Sequence, residues 1–349
     1  MIRNSQFKPL IRPVQYYETD RMGIAHHANY LHWMEEARIA FMAQLGLPYA
    51  EMEAQGVYSP VRSLSCDYLR PCTFGDDLSI RVAVASFDGV TLCLRYEMRS
   101  GDETVCTARS THVFLDGKGH FVRLKRALPD FHAALEDLAL PELDNHDPRI
   151  RYFELALERP LGREQGLPLP EGYRFAFYED GDRDVWIDIE RSARELVSEE
   201  QGREIWEKYF GGHEEELKRR MVFVVSPSGE KVATATAYYD IRKPDDGING
   251  MLHWVAVRRE AQGQGLSKPL ITRTLRVMES LGYARAAIPT QTTTWLACKV
   301  YLDLGFRPIP RNAERCRDGW RIIRRLTGHP ALEGFERADN RLVLAEEEA

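Results

Sequence analysis

The sequence is short of the features that would place it in several broad classes. Its six cysteines, Cys66, Cys72, Cys93, Cys106, Cys298 and Cys316, include no C-x-x-C pair. Neither a disulfide framework nor a zinc ribbon is written into it, and reduced thiols in a cytoplasmic protein are expected. Positive charge is in deficit: 47 Lys and Arg face 53 Asp and Glu, a net charge of −6, which argues against a sequence-independent nucleic-acid binder. No apolar run reaches the roughly 18 residues needed to span a bilayer. The opening MIRNSQFKPL has no apolar signal core, so secretion is not expected. A length of 349 residues points to two domains.

The first domain is expected over residues 1–137. Phe7 to Tyr16 is strand-like, and a helix is predicted from about Ala28 to Leu45, with Leu31, Met34, Ala37, Phe41 and Leu45 forming one apolar stripe. Gly46 and Pro48 stop it. The period then changes to two. Leu78, Ile80, Val82 and Val84 alternate with small or polar residues, as do Leu92, Leu94, Tyr96 and Met98, and Asp88-Gly89 between the runs is a hairpin signal. Thr104 to Leu115 reads as a further strand. A long helix followed by an antiparallel meander is an α+β arrangement in which the sheet buries one face on the helix. The strands are too few to close a barrel, so an exposed edge is expected to pair in a dimer.

Residues Tyr16-Tyr17-Glu18-Thr19-Asp20-Arg21-Met22-Gly23-Ile24, His27-Ala28-Asn29-Tyr30-Leu31 and Trp33 carry a resemblance. They resemble the signature of the hotdog-fold acyl-CoA thioesterases of the 4-hydroxybenzoyl-CoA thioesterase type. Asp67 to Pro71 and Phe74 to Leu78 are similar to that family's second strand and following turn. The resemblance implies a dimer or dimer of dimers with sites at the subunit interface, and Asp20 as the catalytic carboxylate. A thioester carbonyl is attacked by a carboxylate, or by water that a carboxylate deprotonates. Backbone N–H groups at the helix start near Ala28 would serve the carbonyl oxygen, and His27 would orient substrate or donate to it. On spacing alone Asp20 equally reads as a turn cap, and His27 as a residue satisfying backbone groups. His26, His27, His32, Glu35 and Glu36 lack the spacing of a metal-ligand set, and no metal is expected.

Residues 138–172 carry five prolines (141, 148, 160, 168 and 170) and read as a linker, although Phe153, Leu155 and Leu157 at period two within Arg151 to Glu158 suit a strand or docking segment. The second domain is expected over 173–326, with a tail at 327–349 whose end, Ala345 to Ala349, is expected to be solvated. Strands are predicted at Tyr173–Tyr178, Met221–Val225, Thr234–Tyr239, Leu252–Val257 and Ala284–Ile288. Helices are predicted at 184–210, broken near Gly202, at 266–281 and at 294–304, with a last amphipathic one around Trp320, Ile322, Ile323 and Leu326. Strands with crossover helices are α/β.

The centre of this half is Leu252 to Leu270, LHWVAVRREAQGQGLSKPL. A strand runs into a glycine-rich turn and a helix start, where unpaired N–H groups and the helix dipole suit a phosphate. Gln262-Gly263-Gln264-Gly265-Leu266-Ser267 resembles the Gln/Arg-x-x-Gly-x-Gly/Ala motif of the GNAT N-acetyltransferase superfamily, with Ser267 as a departure at the last position. Ala297, Tyr301 and Gly305-Phe306 resemble that family's A-x-x-x-Y-x-x-x-G-F motif. The resemblance implies acetyl-CoA or another acyl-CoA, with its pyrophosphate on Gly263 to Ser267 and its pantetheine arm beside Trp254, Val255, Ala256 and Val257. It implies Tyr301 as the acid for the departing thiolate. A core tyrosine is the plainer reading. His253 stands where some relatives keep a base, but strand residues alternate faces and spacing does not say which face it occupies.

The expected whole is an α+β hotdog domain followed by an α/β GNAT acyltransferase domain. It would hydrolyse an acyl-CoA thioester and transfer an acyl group to an amine, as a cytoplasmic homo-oligomer with no nucleic-acid or membrane partner. The alternatives are a hotdog domain that only dimerises or senses acyl-CoA, and a GNAT fold that binds CoA without transferring.

Overall fold

A computed structural model of the chain describes residues 3–162, 165–238 and 249–345. The chain divides into two units, residues 1–142 and 143–349. Tyr239, expected to end a strand, and 346–349 of the expected solvated tail lie outside the described residues.

The first unit runs β1 (Leu10–Pro13), α1 (His27–Gln44), α2 (Tyr49–Ala54), β2 (Val61–Tyr68), β3 (Asp77–Phe87), β4 (Thr91–Ser100), β5 (Glu103–Val113), α3 (Leu124–Ala127) and α4 (Pro129–Ala139). Its antiparallel sheet has the order β1-β3-β4-β5-β2. The period-two runs put Leu78, Ile80, Val82 and Val84 and their partners Leu92, Leu94, Tyr96 and Met98 on the buried side, in one core with Trp33, Met34, Ala37 and Phe41 of α1. The helix stripe differs from the expected one. Tyr30 and Trp33 are buried while Leu31 is 40% exposed, because the aromatic rings fill the space over the sheet and turn Leu31 outward. Edge strand β2 is exposed or half-buried along its whole length.

One polar chain crosses this core. Arg38 Nη1 donates to the carbonyl of Ser59 (3.0 Å) and lies 3.3 Å from His112 Nδ1. Arginine only donates, so Nδ1 is the acceptor and Nε2 carries the proton. Nε2 meets Ser110 Oγ at 2.7 Å, and Ser110 meets the Tyr96 hydroxyl at 2.9 Å.

The second unit runs β6 (Glu154–Pro160), β7 (Arg174–Phe177), α5 (Asp182–Ser192), α6 (Glu199–Tyr209), α7 (Glu214–Arg220), β8 (Met221–Val225), β9 (Lys231–Tyr238), β10 (Asn249–Val257), α8 (Ser267–Ser280), β11 (Arg285–Gln291), α9 (Trp295–Asp303), β12 (Arg307–Pro308), α10 (Pro310–Arg315), α11 (Arg317–Thr327) and α12 (Asn340–Val343). The sheet order is β12-β6-β11-β10-β9-β8-β7. Pairing is antiparallel except between β10 and β11, which are parallel and splay apart beyond Met251.

Three sequence expectations change here. Residues 138–172 do not only link: Leu155 and Leu157 are buried and β6 pairs with β11 throughout its length. The period-two signal outweighs the flanking prolines because one face of this strand, carrying Leu155 and Leu157, is buried while Glu154 stays exposed. The tail also packs, with Val343 fully buried and Leu344 bridged to Ile150. The helical break falls at 193–198 rather than at Gly202, which sits inside α6 where a side chain would collide with Ile187.

Candidate functional site

In the first unit the motif loop before α1 is held from below by Glu18, which is only 5% exposed. Its Oε1 accepts from Arg12 Nη2 and Trp33 Nε1, both at 2.8 Å, and its Oε2 accepts from the Gln15 amide at 2.7 Å. Its carbonyl accepts from the His26 amide (2.8 Å) and the Asn29 side chain (2.6 Å). A buried carboxylate needs this saturation. Nothing in the local sequence pattern marks Glu18 for that task. Arg12 stacks over the Trp33 ring at 4.9 Å.

Above Glu18, Thr19 pairs with Ala25, and Asp20 opens a tight turn. The Asp20 amide donates to Ile24 O (2.9 Å), its carbonyl accepts from Gly23 N–H (3.0 Å), and its Oδ1 accepts from Met22 N–H (2.7 Å). Asp20 therefore does cap a turn, and its side chain remains half-exposed. His26 is the residue that caps α1, with Nδ1 accepting from Ala28 N–H at 3.3 Å and its carbonyl from Asn29 N–H at 2.9 Å. Those two helix-start donors are thus occupied, whereas the His27 amide finds no partner among the described residues. The His27 ring is exposed and lies 4.2 Å from that of His26, centroid to centroid.

In the second unit β10 leads through a short 3-10 turn to the glycine loop and α8. Gly263 and Gly265 have φ of +76° and +78°, with open space where a Cβ would stand. Left-handed backbone of this kind suits glycine. The backbone N–H groups of Gly263, Gln264, Gly265, Leu266, Ser267 and Lys268 find no acceptor among the described residues. With the α8 dipole behind them they form an anion cradle. A cavity of about 180 Å³ opens beside it, lined by Val255, Ala256, Val257, Gln262, Gly263, Gly265, Leu266 and Ser267 among others. Gln264 does not line it: its side chain is bonded to the Tyr173 hydroxyl and to the Glu260 carbonyl. Gln262 is a brace, donating to Val257 O (3.1 Å) and accepting from Asn145 (3.1 Å).

Tyr301, on α9, is 5% exposed and lines this cavity and a second one of about 490 Å³. Burial, reinforced by Cys298, Glu195 and Glu190, pushes its phenol far above the usual tyrosine range. His253 lines the larger cavity, where β10 slips register between Leu252 and Val255. Its ring packs on Tyr209 (5.3 Å), Tyr238 (5.7 Å) and Trp254 (4.8 Å). Burial pushes it down to about 4, so it is neutral at pH 7 and a weak base.

Two acidic residues escaped the sequence reading. Glu195, between α5 and α6, lines both cavities, the larger one beside Gln291. Burial raises its carboxyl above the usual range, opposed by His146 and Gln291. Glu190 is fully buried with neither carboxyl oxygen partnered among the described residues, and burial, with the Glu195 charge, holds it well above its ordinary value. Among the described residues no group of three or more His, Cys, Asp or Glu is placed to hold a metal ion. No described helix is long and apolar enough to cross a membrane.

Each unit matches a family model of its own. The thioesterase-like superfamily model matches residues 14–141, and the acetyltransferase (GNAT) family model matches residues 184–306. The Bacillus subtilis protein named "Putative acyl-CoA thioesterase YneP" is 35% identical over 125 residues, which is 35% of this chain and 91% of that relative. An Aquifex aeolicus "Putative esterase" is 33% identical over 101 residues, 29% of this chain and 79% of the relative. The solved DHNA-CoA thioesterase of Staphylococcus aureus is 29% identical, covering 37% of this chain and 89% of that one, with a TM-score of 0.36. The chain belongs to the thioesterase-like superfamily through its hotdog first unit and joins to it a GNAT-family domain. It is a two-domain protein of acyl-CoA chemistry.

Proposed function

We propose that the chain is a bifunctional acyl-CoA enzyme. The first unit hydrolyses an acyl-CoA thioester, and the second transfers an acetyl or other acyl group from CoA to an amine. The observation that carries this reading is the row of unpartnered N–H groups from Gly263 to Lys268, with α8 behind it and Tyr301 across the adjoining cavity. A pyrophosphate fits that row, and the thioester then reaches toward Tyr301, a suitable acid for a departing thiolate. Val255 to Val257 flank the arm of the cofactor. His253 stands on the acceptor side. No metal takes part.

In the first unit Asp20 is the catalytic carboxylate, acting on the carbonyl directly or through water. The unpartnered His27 amide serves the developing oxyanion, and the exposed His27 ring orients the substrate. Edge strand β2, with Val61, Leu64 and Tyr68 at 47%, 39% and 48% exposure, supports a homo-oligomer, dimer or tetramer, built on this unit.

The Met22 bond to Asp20 favours a second reading, in which the hotdog unit only dimerises or senses acyl-CoA. Asp20→Asn separates the two. Asparagine keeps the acceptor for Met22 while losing the carboxylate, so hydrolysis should fall by at least about 100-fold with folding intact. Unchanged hydrolysis would remove Asp20 from the mechanism. Gly265→Glu puts a carboxylate into the cradle and should weaken CoA binding at the second unit by calorimetry of the full chain. Unaltered affinity would refute the cradle.

A further inference from the structure

The larger cavity beside Tyr301 has a lining that restricts what can enter it. At about 490 Å³ it falls in the size range of small-molecule sites, roughly 300–1,000 Å³. It shares Glu195 and Tyr301 with the cradle cavity, so an occupant stands next to the place where the thioester ends. Among its described lining residues there are two carboxylates, Glu154 and Glu195, and no lysine or arginine. Glu154 opens β6 on the exposed side and makes no ion pair among the described residues, and Tyr152 beside it is 59% exposed. Glu195 also neighbours Tyr301, and Trp254 and His253 supply an aromatic wall. Two carboxylates in one aromatic-walled cavity, neither ion-paired among the described residues, select a molecule with two positive charges.

A second set of observations comes from behind the wall. The Glu195 amide donates to the Glu190 carbonyl at 3.0 Å, and the Glu190 carboxyl is sealed from solvent with no partner among the described residues. Burial and the Glu195 charge both favour the protonated form of Glu190. Glu190 thus competes less with Glu195 for a cation than an exposed carboxylate would. That leaves Glu195 to meet one ammonium and Glu154 to meet the other.

Resting on the transferase reading above, we propose that the acceptor is a small diamine or polyamine-type cation. Its reacting ammonium is held and deprotonated by Glu195, and its distal ammonium is held by Glu154. The Glu195 carboxylate takes one proton from the ammonium, and the freed nitrogen lone pair attacks the thioester carbonyl carbon. The new C–N bond forms, the C–S bond breaks with its electrons going to sulfur, and the thiolate takes the Tyr301 phenolic proton. The surplus proton on nitrogen returns to the phenolate. The proton on Glu195 passes to solvent, so one proton is released per amide formed.

The test uses the full-length protein saturated with CoA and titrated by calorimetry with 1,4-diaminobutane, 1-aminobutane and 4-aminobutanoate. The diamine should bind at least tenfold more tightly than the monoamine, and the zwitterion most weakly. Glu154→Gln should abolish the diamine's advantage while leaving monoamine affinity within twofold, and Glu195→Gln should weaken both amines. Equal binding of the zwitterion and the diamine, or an unchanged ratio in Glu154→Gln, would overturn the proposal. Transfer is read separately, as acetylated diamine by mass spectrometry with acetyl-CoA, so that hydrolysis does not interfere. Glu195→Gln should cut kcat by at least 100-fold and remove the acid limb of its pH profile. That limb belongs to Glu195 as it faces Glu190, His146, Tyr152 and Tyr301. Diamine binding with no transfer would overturn the deprotonation step and the transferase reading, while the cation site itself stood.

Discussion

Gly202 on α6 lies so close to Ile187 on α5 that a Cβ there would stand 2.6 Å from Ile187 Cγ2 and 3.3 Å from Leu196 Cδ1. The glycine is a contact surface between two helices, and the loop they hold carries Glu195. Gly202→Ala should lose about 1–3 kcal/mol by overpacking, offset in part by alanine's better helix propensity. A lower thermal midpoint of the second unit, with weakened amine binding, is the expected result. A raised midpoint would show that α5 and α6 separate freely.

Glu18→Gln tests the support under the motif loop. Glutamine offers one acceptor oxygen and turns an NH₂ toward groups that are themselves donors, Arg12, Trp33 and the Gln15 amide. Breaking a buried ion pair from one side costs about 3–5 kcal/mol. Chemical denaturation should show a loss of that order. Acyl-CoA hydrolysis should fall as well, because the loop that positions Asp20 is no longer fixed. Full stability in the variant would mean that Glu18 holds nothing.

His112 makes the first unit sensitive to acid. Burial, and then the Arg38 charge, push it down to about 4 from an ordinary value near 6.5. The folded state thus binds its proton less readily than the unfolded state. Its contribution, about 3 kcal/mol at most, is complete above pH 6.5 and is lost as pH falls through about 4. His112→Gln keeps an acceptor for Arg38 and a donor for Ser110 but cannot titrate. Urea midpoints measured between pH 7 and pH 4 should fall less in the variant than in the parent chain. Identical slopes would clear His112 of the effect.

Tyr301→Phe should lower acyl transfer by about 10²–10⁴-fold, the usual worth of a positioned proton donor. CoA affinity should stay within a few-fold, because the cradle is backbone. Thioester hydrolysis by the first unit should not change. A transfer rate equal to that of the parent would return Tyr301 to the role of a core residue.

The parts of this molecule that were readable in the sequence are those whose chemistry is local. Gly263 and Gly265 announce a left-handed turn because only glycine takes it cheaply, and alternation from Leu78 to Val84 announces a strand because the pleat repeats every two residues. Tyr301 stood out through its spacing from Ala297 and Gly305. Glu18, Glu190 and Glu195 gave no such signal. A glutamate buried by distant elements looks in sequence like any surface glutamate, and its partners, Arg12, Trp33 or Gln291, are defined only by the fold. The facing of His253 was equally hidden, since the register slip on β10 breaks the alternation that would have assigned it. Strand β6 was half visible: Leu155 and Leu157 alternate correctly, but nothing local says that their partners are Thr290 and Ile288.

That partnership sets an order of events during synthesis. Residues 154–160 emerge first among the strands of their sheet, yet their neighbours β11 and β12 follow roughly 130 or more residues later. At about 5–20 residues per second this is a wait of the order of ten seconds. Through that interval Leu155 and Leu157 are an apolar edge without a mate, whereas the β3-β4-β5 meander closes on itself as it appears. The first unit can be complete while the second still exposes β6, and that edge is where a holding chaperone would be needed.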